Sequence, residues 1–310
     1  MLHETEGVQD LIELRCPLDG GKVRSGPDGH TCSSCDMRFP MVDAGGGKVP
    51  DLRCLNLPSQ VTMKFEVPQV PAPFEITNQF GTATRAEFAC PTREEMRRNY
   101  GTKLQKEVLY YISELMRDVG PDAHILDLGC ANGGTARFLQ DSGFKHVVAV
   151  DFLSSGAQLL ADVHRLPFEN ATFDMIVTTA TLEHFYNPFV AFVEMGRCLK
   201  DRGRLVASGS FWERWHGNSC FHMTPGGIDQ LCLCAGLELY DMWSGWGFIP
   251  SVAGGALNLG RFRRLGYKCQ SLFDALLSWK SGEEVAKLHR YRTSGSLGLY
   301  ARKTNRAEKN

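Results

Sequence analysis

The 310-residue sequence has no apolar stretch that approaches the ~20 residues of a membrane helix. Its first residues, MLHETEGVQDLIELR, are acidic and lack the apolar core of a signal peptide. The formal net charge is −1, so the chain also lacks the basic excess of proteins that coat nucleic acid. These absences predict a cytoplasmic globular protein. They leave room for a local basic patch.

Cysteine is the residue type that is present in excess. The 11 cysteines are an odd number, and Cys198, Cys232 and Cys234 stand inside apolar runs. Such positions predict reduced core thiols rather than a disulfide framework.

Composition divides the chain into three predicted regions. Residues 1–55 are rich in glycine and cysteine and predict a small β module. Residues 56–99 predict a linker and cap segment, since they contain Pro58, Pro68, Pro71 and Pro73. Residues 100–305 alternate strand and helix patterns, which predicts a doubly wound α/β domain with a mostly parallel sheet.

Ligands of such sheets bind at the carboxyl ends of the strands, and the strongest motif, ILDLGCANGG (125–134), lies there. A predicted strand runs into a turn that contains Gly129 and Gly133 and then into a helix. The dinucleotide fingerprint would place a glycine where this chain has Ala131. Asp127 would face a pyrophosphate unfavourably, but it suits a ligand that carries an ammonium group. Asp151, at the end of the next strand, is placed to accept hydrogen bonds from ribose hydroxyls.

Further motifs follow in order: ADVHRLPF (161–168), FDMIVTTATLEHFYNP and FVEMGRCLKDRGRLVAS. Together with the glycine-rich turn they resemble class I S-adenosylmethionine-dependent methyltransferases of the type 11, quinone-methyltransferase-like family. The resemblance implies a seven-stranded Rossmann-like sheet and methyl transfer from S-adenosylmethionine. The residues that it implies for the cofactor site are Asp127, Gly129, Ala131, Gly133, Asp151, Phe152, Asp162, Val163 and Thr179.

The chain departs from the family pattern in several places. Only ten residues separate Asp151 from Asp162, which is too few for a crossover helix and the next strand. We therefore predict that this helix is lost or reduced to a turn, and that another segment covers the ribose pocket or leaves it open. Asp201 and Arg202 replace the proline and first glycine of the family's helix-to-strand unit.

The catalytic histidines are predicted to be His184, His216 and His222. Glu183-His184 follows the fourth strand, where the methyl group would lie; the pattern favours a structural histidine that orients a loop, with a catalytic base as the alternative. The segment FWERWHGNSCFHMTPGG (211–227) predicts a substrate lid, with an ordinary core loop as the alternative. Met223 stands where related enzymes have an arginine. For residues 244–260 a mobile flap and a sheet-edge connection fit equally well.

The first module carries Cys16, Asp19, Cys32 and Cys35 at a spacing like that of a zinc ribbon, with Asp19 in place of a cysteine. It resembles the zinc-ribbon proteins that activate tRNA and protein methyltransferases. The resemblance implies a structural zinc with Asp19 or His30 as the fourth ligand, or a ribbon that has lost its metal. A redox role for the Cys32–Cys35 pair lacks a supporting thioredoxin-like pattern.

Taken together, the sequence predicts methyl transfer to a small-molecule or saccharide-like acceptor. One alternative is an RNA methyltransferase of the ribosomal-RNA type, guided by the ribbon. Another is a partner protein that binds S-adenosylmethionine without turnover. The acceptor, the oligomeric state and the pathway stay open.

Overall fold

The computed structural model describes residues 8–26, 28–45, 47–54, 101, 103–213, 215–217, 219–252 and 263–304. The predicted linker, residues 56–99, lies outside these ranges, so the predicted domain boundaries stay predictions. A short helix α1 (Val8–Leu11) precedes a small antiparallel sheet of four strands in chain order. Its strands are β1 (Val23–Gly26), β2 (Gly29–Cys32), β3 (Arg38–Asp43) and β4 (Lys48–Pro50).

The second sheet has seven strands in the order β10-β11-β9-β8-β5-β6-β7. The strands are β5 (His124–Leu128), β6 (His146–Asp151), β7 (Leu159–Leu160), β8 (Phe173–Thr178), β9 (Leu199–Ser210), β10 (Leu237–Trp246) and β11 (Ser296–Lys303). Strands β5 to β9 are parallel, and β11 is antiparallel to both β9 and β10. This order confirms the predicted doubly wound, mostly parallel sheet.

Helices flank this sheet: α2 (Lys106–Asp118), α3 (Gly134–Asp141), α4 (Pro188–Cys198), α5 (Pro225–Cys234), α6 (Phe248–Ser251), α7 (Arg263–Ser281) and α8 (Glu283–Arg292). Two of them begin at a residue whose side chain caps the helix. The Asn187 side chain accepts a hydrogen bond from the Val190 amide, and that of Thr224 accepts one from the Gly227 amide. In the described part of the chain, no helix is both long and apolar enough to cross a membrane.

The strand residues alternate between two apolar cores, as the pleat requires. Leu126 and Val148 pack on one face of the sheet, whereas Ile125 and Val147 pack on the other. The predicted core thiols Cys198 and Cys232 are fully buried. The prediction for Cys234 was wrong, because this side chain is only half-buried at the end of α5.

The crossover between β6 and β7 contains no helix, as its length predicted. In place of a crossover helix, residues of the first module contact this part of the sheet. Asp51 forms a parallel bridge with Leu160, and the Leu52 amide donates to the Leu160 carbonyl at 2.9 Å. Leu52 is fully buried, and Leu14 pairs with Phe168 in an antiparallel bridge. The module therefore extends the sheet edge and closes the core where a crossover helix is absent.

Candidate functional site

The glycine-rich turn between β5 and α3 keeps its left-handed geometry although one glycine is missing. Gly129 and Gly133 both have φ of 72°, and Ala131 has φ of 48°. A Cβ on Gly129 would lie 2.5 Å from the Thr181 side chain, so no larger residue fits there. The alanine at position 131 therefore carries backbone strain of the kind that clusters at ligand sites.

Asp127 lies in β5 just before this turn and is buried. One of its carboxylate oxygens has no hydrogen-bond partner. Burial raises its pKa to about 7; the Ala136 amide opposes that shift, and the charge of Asp151 adds to it. A buried carboxylate with a free oxygen favours a cationic group beside it.

Asp151 ends β6 and is already engaged by backbone amides. Its Oδ1 accepts hydrogen bonds from Leu153 at 2.9 Å and from Ser154 at 3.1 Å. Its Oδ2 accepts one from Ala131 at 3.0 Å. A ribose hydroxyl that donates to this carboxylate would share an oxygen with one of these amides.

Asp162, after β7, joins a network that the sequence did not reveal. The His164 amide and ring Nδ1 lie 3.0 Å and 2.5 Å from Oδ1, and the Tyr186 hydroxyl donates to Oδ2 at 3.1 Å. Burial raises the pKa of Asp162, but these hydrogen bonds outweigh burial and hold it below its ordinary value. Since the Asn187 amide donates to Nε2 of His164, the ring proton lies on Nδ1 and points at Asp162.

Phe152 follows Asp151 and is contacted by an arginine from the first module. Arg53 donates to the Phe152 carbonyl at 2.8 Å, and its guanidinium lies 5.5 Å from the Phe152 ring centroid. Asp51 holds the same guanidinium with two hydrogen bonds of 2.7 and 2.8 Å. No sequence motif predicts this contact of Arg53, because its partner Phe152 is far along the chain.

The predicted cofactor residues are all located at the carboxyl edge of β5 to β8. Gly129, Ala131 and Gly133 follow β5, Phe152 follows β6, and Asp162 and Val163 follow β7. Thr179 follows β8 and is half-buried, as is Val163. Because parallel strands end at one edge, these side chains and amides face a common region.

On the other side of this edge, after β8 and β9, histidine and carboxylate side chains lie close together. Glu183 is buried, and its Oε1 accepts a hydrogen bond from the Ser210 hydroxyl at 3.0 Å. Nε2 of His216 lies 3.8 Å from the same Oε1, and the His184 and His216 rings are 5.8 Å apart and nearly perpendicular. Two of the three predicted catalytic histidines are therefore brought together around Glu183.

Glu213 is a second carboxylate here that sequence reasoning did not single out. It contacts the Ser210 hydroxyl, and its Oε1 lies 4.0 Å from Nδ1 of His216. Burial raises the pKa of Glu213. His222 is not in the close group of Glu183, His184 and His216, although its charge acts on Glu213.

The loop of residues 211–222 is tied at its base to the same groups. The Glu183 carbonyl accepts hydrogen bonds from the Cys220 and Phe221 amides, and the Met223 amide donates to the Ser210 carbonyl. Trp212 and Trp215 are 59% and 69% exposed, so the core-loop alternative was wrong. The lid stays a prediction.

In the first module, Cys16, Asp19, Cys32 and Cys35 offer ligand atoms that all lie within 4.8 Å of one another. The Cys16 and Cys35 sulfurs are 3.8 Å apart, and the Cys32 sulfur is 3.4 Å from Asp19 Oδ1. His30, the alternative fourth ligand, is not in this group. Three thiols and one carboxylate at this separation fit a tetrahedral Zn²⁺.

Comparisons with known proteins match the part of the chain that forms this edge of the sheet. Residues 126–207 match a family model described as a methyltransferase domain. A demethylmenaquinone methyltransferase of Thermotoga maritima is 32% identical over 117 residues, which make up 34% of this chain and 49% of that one. A tRNA U34 carboxymethyltransferase of Methylococcus capsulatus is 33% identical over 98 residues, 26% of this chain and 30% of that one.

A solved structure, Haemonchus contortus phosphoethanolamine N-methyltransferase 2 in complex with S-adenosyl-L-methionine, aligns with 17% identity and a TM-score of 0.40. The alignment covers 63% of this chain and 52% of that chain. The chain spans about half or less of the length of the curated relatives named above.

Proposed function

We propose that this chain, which contains a class I S-adenosylmethionine-dependent methyltransferase domain, transfers a methyl group to a small-molecule or saccharide-like acceptor. Asp127 carries the proposal, because it is a buried carboxylate with a free oxygen beside a strained glycine-rich turn. The ammonium group of S-adenosylmethionine would give this oxygen a partner and favour the charged carboxylate. When bound, the cofactor supplies an electrophilic methyl group on a cationic sulfur.

The remaining cofactor contacts follow from the order of residues along the edge. Gly129, Ala131 and Gly133 would bring backbone close to the methionine part, and Asp151 would accept from the ribose. Phe152 and Val163 would contact the adenine, with Asp162 accepting from its amino group. Thr179 would lie between the cofactor and the acceptor.

The acceptor would bind between the 211–222 loop and the histidines at the end of β8. Exposed Trp212, Trp215 and Phe221 give this loop an aromatic surface suited to a small organic molecule or a sugar ring. Methyl transfer is an in-line displacement, so holding the acceptor atom in line with the methyl group supplies much of the rate.

The first module would hold a structural zinc through Cys16, Cys32, Cys35 and Asp19. Burial raises the pKa of Cys16, which makes its thiolate costly unless a cation is bound beside it. Removal of that metal would loosen the module that carries Arg53 and Leu52.

An RNA acceptor is the second candidate, because the name of one relative specifies a tRNA substrate. RNA binding would weaken steeply with added salt, whereas binding of a neutral small molecule would not. A partner protein that binds the cofactor without turnover is the third candidate. Incorporation of labelled methyl groups into metabolite and RNA fractions separates the three.

Calorimetric titration with S-adenosylmethionine tests the cofactor site directly. Asp127→Asn is expected to weaken binding about 10- to 100-fold, the scale of a lost charge-assisted contact. Asp122→Asn is the matched control, since Asp122 is exposed and pairs with Lys145 on the surface. Equal affinities for both variants and the unchanged chain would overturn the ammonium site.

A further inference from the structure

The group of Glu183, His184 and His216 combines two imidazoles and one carboxylate at the acceptor side of the edge. Each residue offers a ligand atom, and these atoms lie within 4.8 Å of one another. Glu183 is only 2% exposed. Nδ1 of His184 is buried and has no hydrogen-bond partner.

A purely structural role does not explain why two carboxylates lie at one serine hydroxyl. Ser210 has one hydroxyl proton, yet its oxygen contacts the carboxylates of both Glu183 and Glu213. No lysine or arginine forms an ion pair with either carboxylate among the described residues. The ionisable partner that these two carboxylates share is His216, at 3.8 and 4.0 Å, and a cation bound beside it would neutralise them more fully.

We propose that Glu183, His184 and His216 bind a divalent transition-metal ion at the acceptor site. Two imidazoles and one carboxylate suit Zn²⁺, Fe²⁺, Co²⁺ or Ni²⁺ better than Mg²⁺ or Ca²⁺. The loop that carries His216 also donates the Cys220 and Phe221 amides to the Glu183 carbonyl, so these contacts help to hold His216 beside Glu183.

The metal site narrows the acceptor class, and this step rests on the proposed methyl transfer. A hydroxyl group that coordinates the metal loses its proton to solvent more readily, which leaves an oxygen nucleophile. That oxygen forms the new bond to the methyl carbon while the sulfur–carbon bond breaks and its electron pair stays on sulfur. The acceptor is accordingly a hydroxyl compound, and one with a second oxygen close to the first would chelate the ion.

Titration of the metal-free full-length chain with Co²⁺ tests the site, followed by absorbance and calorimetry. Cobalt held by thiolates shows intense near-ultraviolet charge transfer, whereas a site of nitrogen and oxygen ligands shows only weak visible bands. His216→Ala is expected to remove one equivalent of Co²⁺ that gives weak bands and to leave any charge transfer unchanged. Cys35→Ser is the converse control, because it changes only the cysteine site.

His216 is 44% exposed on its side chain, so its removal spares the core. Glu183→Gln is expected to weaken binding of the same Co²⁺ ion about a hundredfold. Thermal unfolding of this variant is recorded to show that the chain is folded. Unchanged Co²⁺ stoichiometry and affinity in the folded His216→Ala chain would overturn the site. Binding of S-adenosylmethionine, measured in parallel, reports on the proposed function separately, since neither variant touches the residues assigned to the cofactor.

Discussion

The two sides of this edge, for which we propose cofactor binding and acceptor binding, hold their carboxylates by different means. Asp151 and Asp162 accept hydrogen bonds from amides two or three residues further along the chain. Glu183 instead depends on Ser210, which lies on another strand, and on His216 in a loop. Ala131 and Tyr186 add one longer-range hydrogen bond each to Asp151 and Asp162, but nearby residues supply most contacts of these two carboxylates, whereas distant residues supply those of Glu183.

The nearby amides hold Asp151 and Asp162 without contributions from the 211–222 loop. The acceptor groups change whenever the 211–222 loop changes, because that loop supplies His216 and Glu213. Four substitutions would sharpen or break the comparison.

Gly156→Ala should have the largest effect. A Cβ at Gly156 would lie 2.2 Å from backbone atoms of both Asn132 and Gly133, so the turn and the 152–158 segment must separate. We expect a loss of about 3 kcal/mol in unfolding free energy and loss of cofactor binding, measured by denaturant titration and calorimetry. Gly120→Ala, which meets no atom but has φ of 90°, should cost only about 1 kcal/mol. Equal losses would show that the turn is not tightly packed.

The pH dependence of cofactor affinity should come next. Below pH 7 Asp127 is protonated in the free chain, so binding of an ammonium group must displace a proton. Affinity should be flat above pH 7 and fall below it, approaching about tenfold per pH unit, and Asp127→Asn should abolish the slope. A slope that persists in Asp127→Asn would assign the titration to another group.

The raised pKa of Asp127 also affects the free energy of unfolding. Cofactor affinity should fall at low pH, whereas this contribution to stability is lost at high pH. Between the ordinary pKa of 3.8 and about 7, the folded chain binds more protons than the unfolded chain. The contribution of Asp127 therefore favours folding at low pH and is lost as pH rises through that window. Asp127→Asn should unfold at higher denaturant concentration than the unchanged chain at pH 8, with a smaller difference at pH 5.

Arg53→Ala should weaken cofactor binding by a few-fold, because the guanidinium supports Phe152 without touching Asp127 or Asp151. Calorimetry should show the change in Kd for S-adenosylmethionine, and Arg53→Lys should restore little, since a lysine cannot pair with Asp51 through two nitrogens. Arg24→Ala, an exposed arginine of the same module, is the control and should leave Kd unchanged. Equal effects of the two alanine variants would remove Arg53 from the adenosine site.

Arg202→Gly should have the smallest effect. Arg202 has φ of 62° at the position where the family pattern has glycine, and its side chain is exposed. Relief of the left-handed strain should stabilise the chain by about 0.5–1 kcal/mol in thermal unfolding, with cofactor affinity unchanged. A destabilised variant would show that the arginine side chain contributes contacts that outweigh the strain.

Much of the central sheet could be predicted from the sequence, because its strands are short apolar runs between strong turn signals. Strands β5 and β6 and helix α3 occupy the segments HILDL, HVVAVD and GTARFLQD. Strand β8 ends at Thr178, two residues before Ala180, which takes a left-handed conformation with φ of 54°. Residues close together in the sequence determine these elements, so the elements could be predicted from the sequence.

The elements that were missed lack such signals. Strand β10 contains two register shifts against β11, which break the alternation of apolar and polar residues. Helix α7 was missed because its apolar side chains, including Leu272 and Trp279, are exposed rather than turned toward a core. Of the 244–260 segment, residues 244–246 end β10 and 248–251 form α6, whereas 253–260 lie outside the described residues.

The site divides in the same way. The predicted cofactor residues share one edge because they lie at the carboxyl ends of neighbouring parallel strands. The role of Arg53 could not be predicted, because Phe152 is 99 residues away along the chain, and the contact of His164 with the Asn187 amide also depends on the fold.

The pairing of Leu52 with Leu160 has a consequence for the order in which this protein is made. The first module is synthesised before β7, so Leu14 and Leu52 cannot yet pair with Phe168 and Leu160. These contacts form only after β6, β7 and Phe168 have been synthesised. Completion of this edge of the sheet is therefore a late, long-range step of folding.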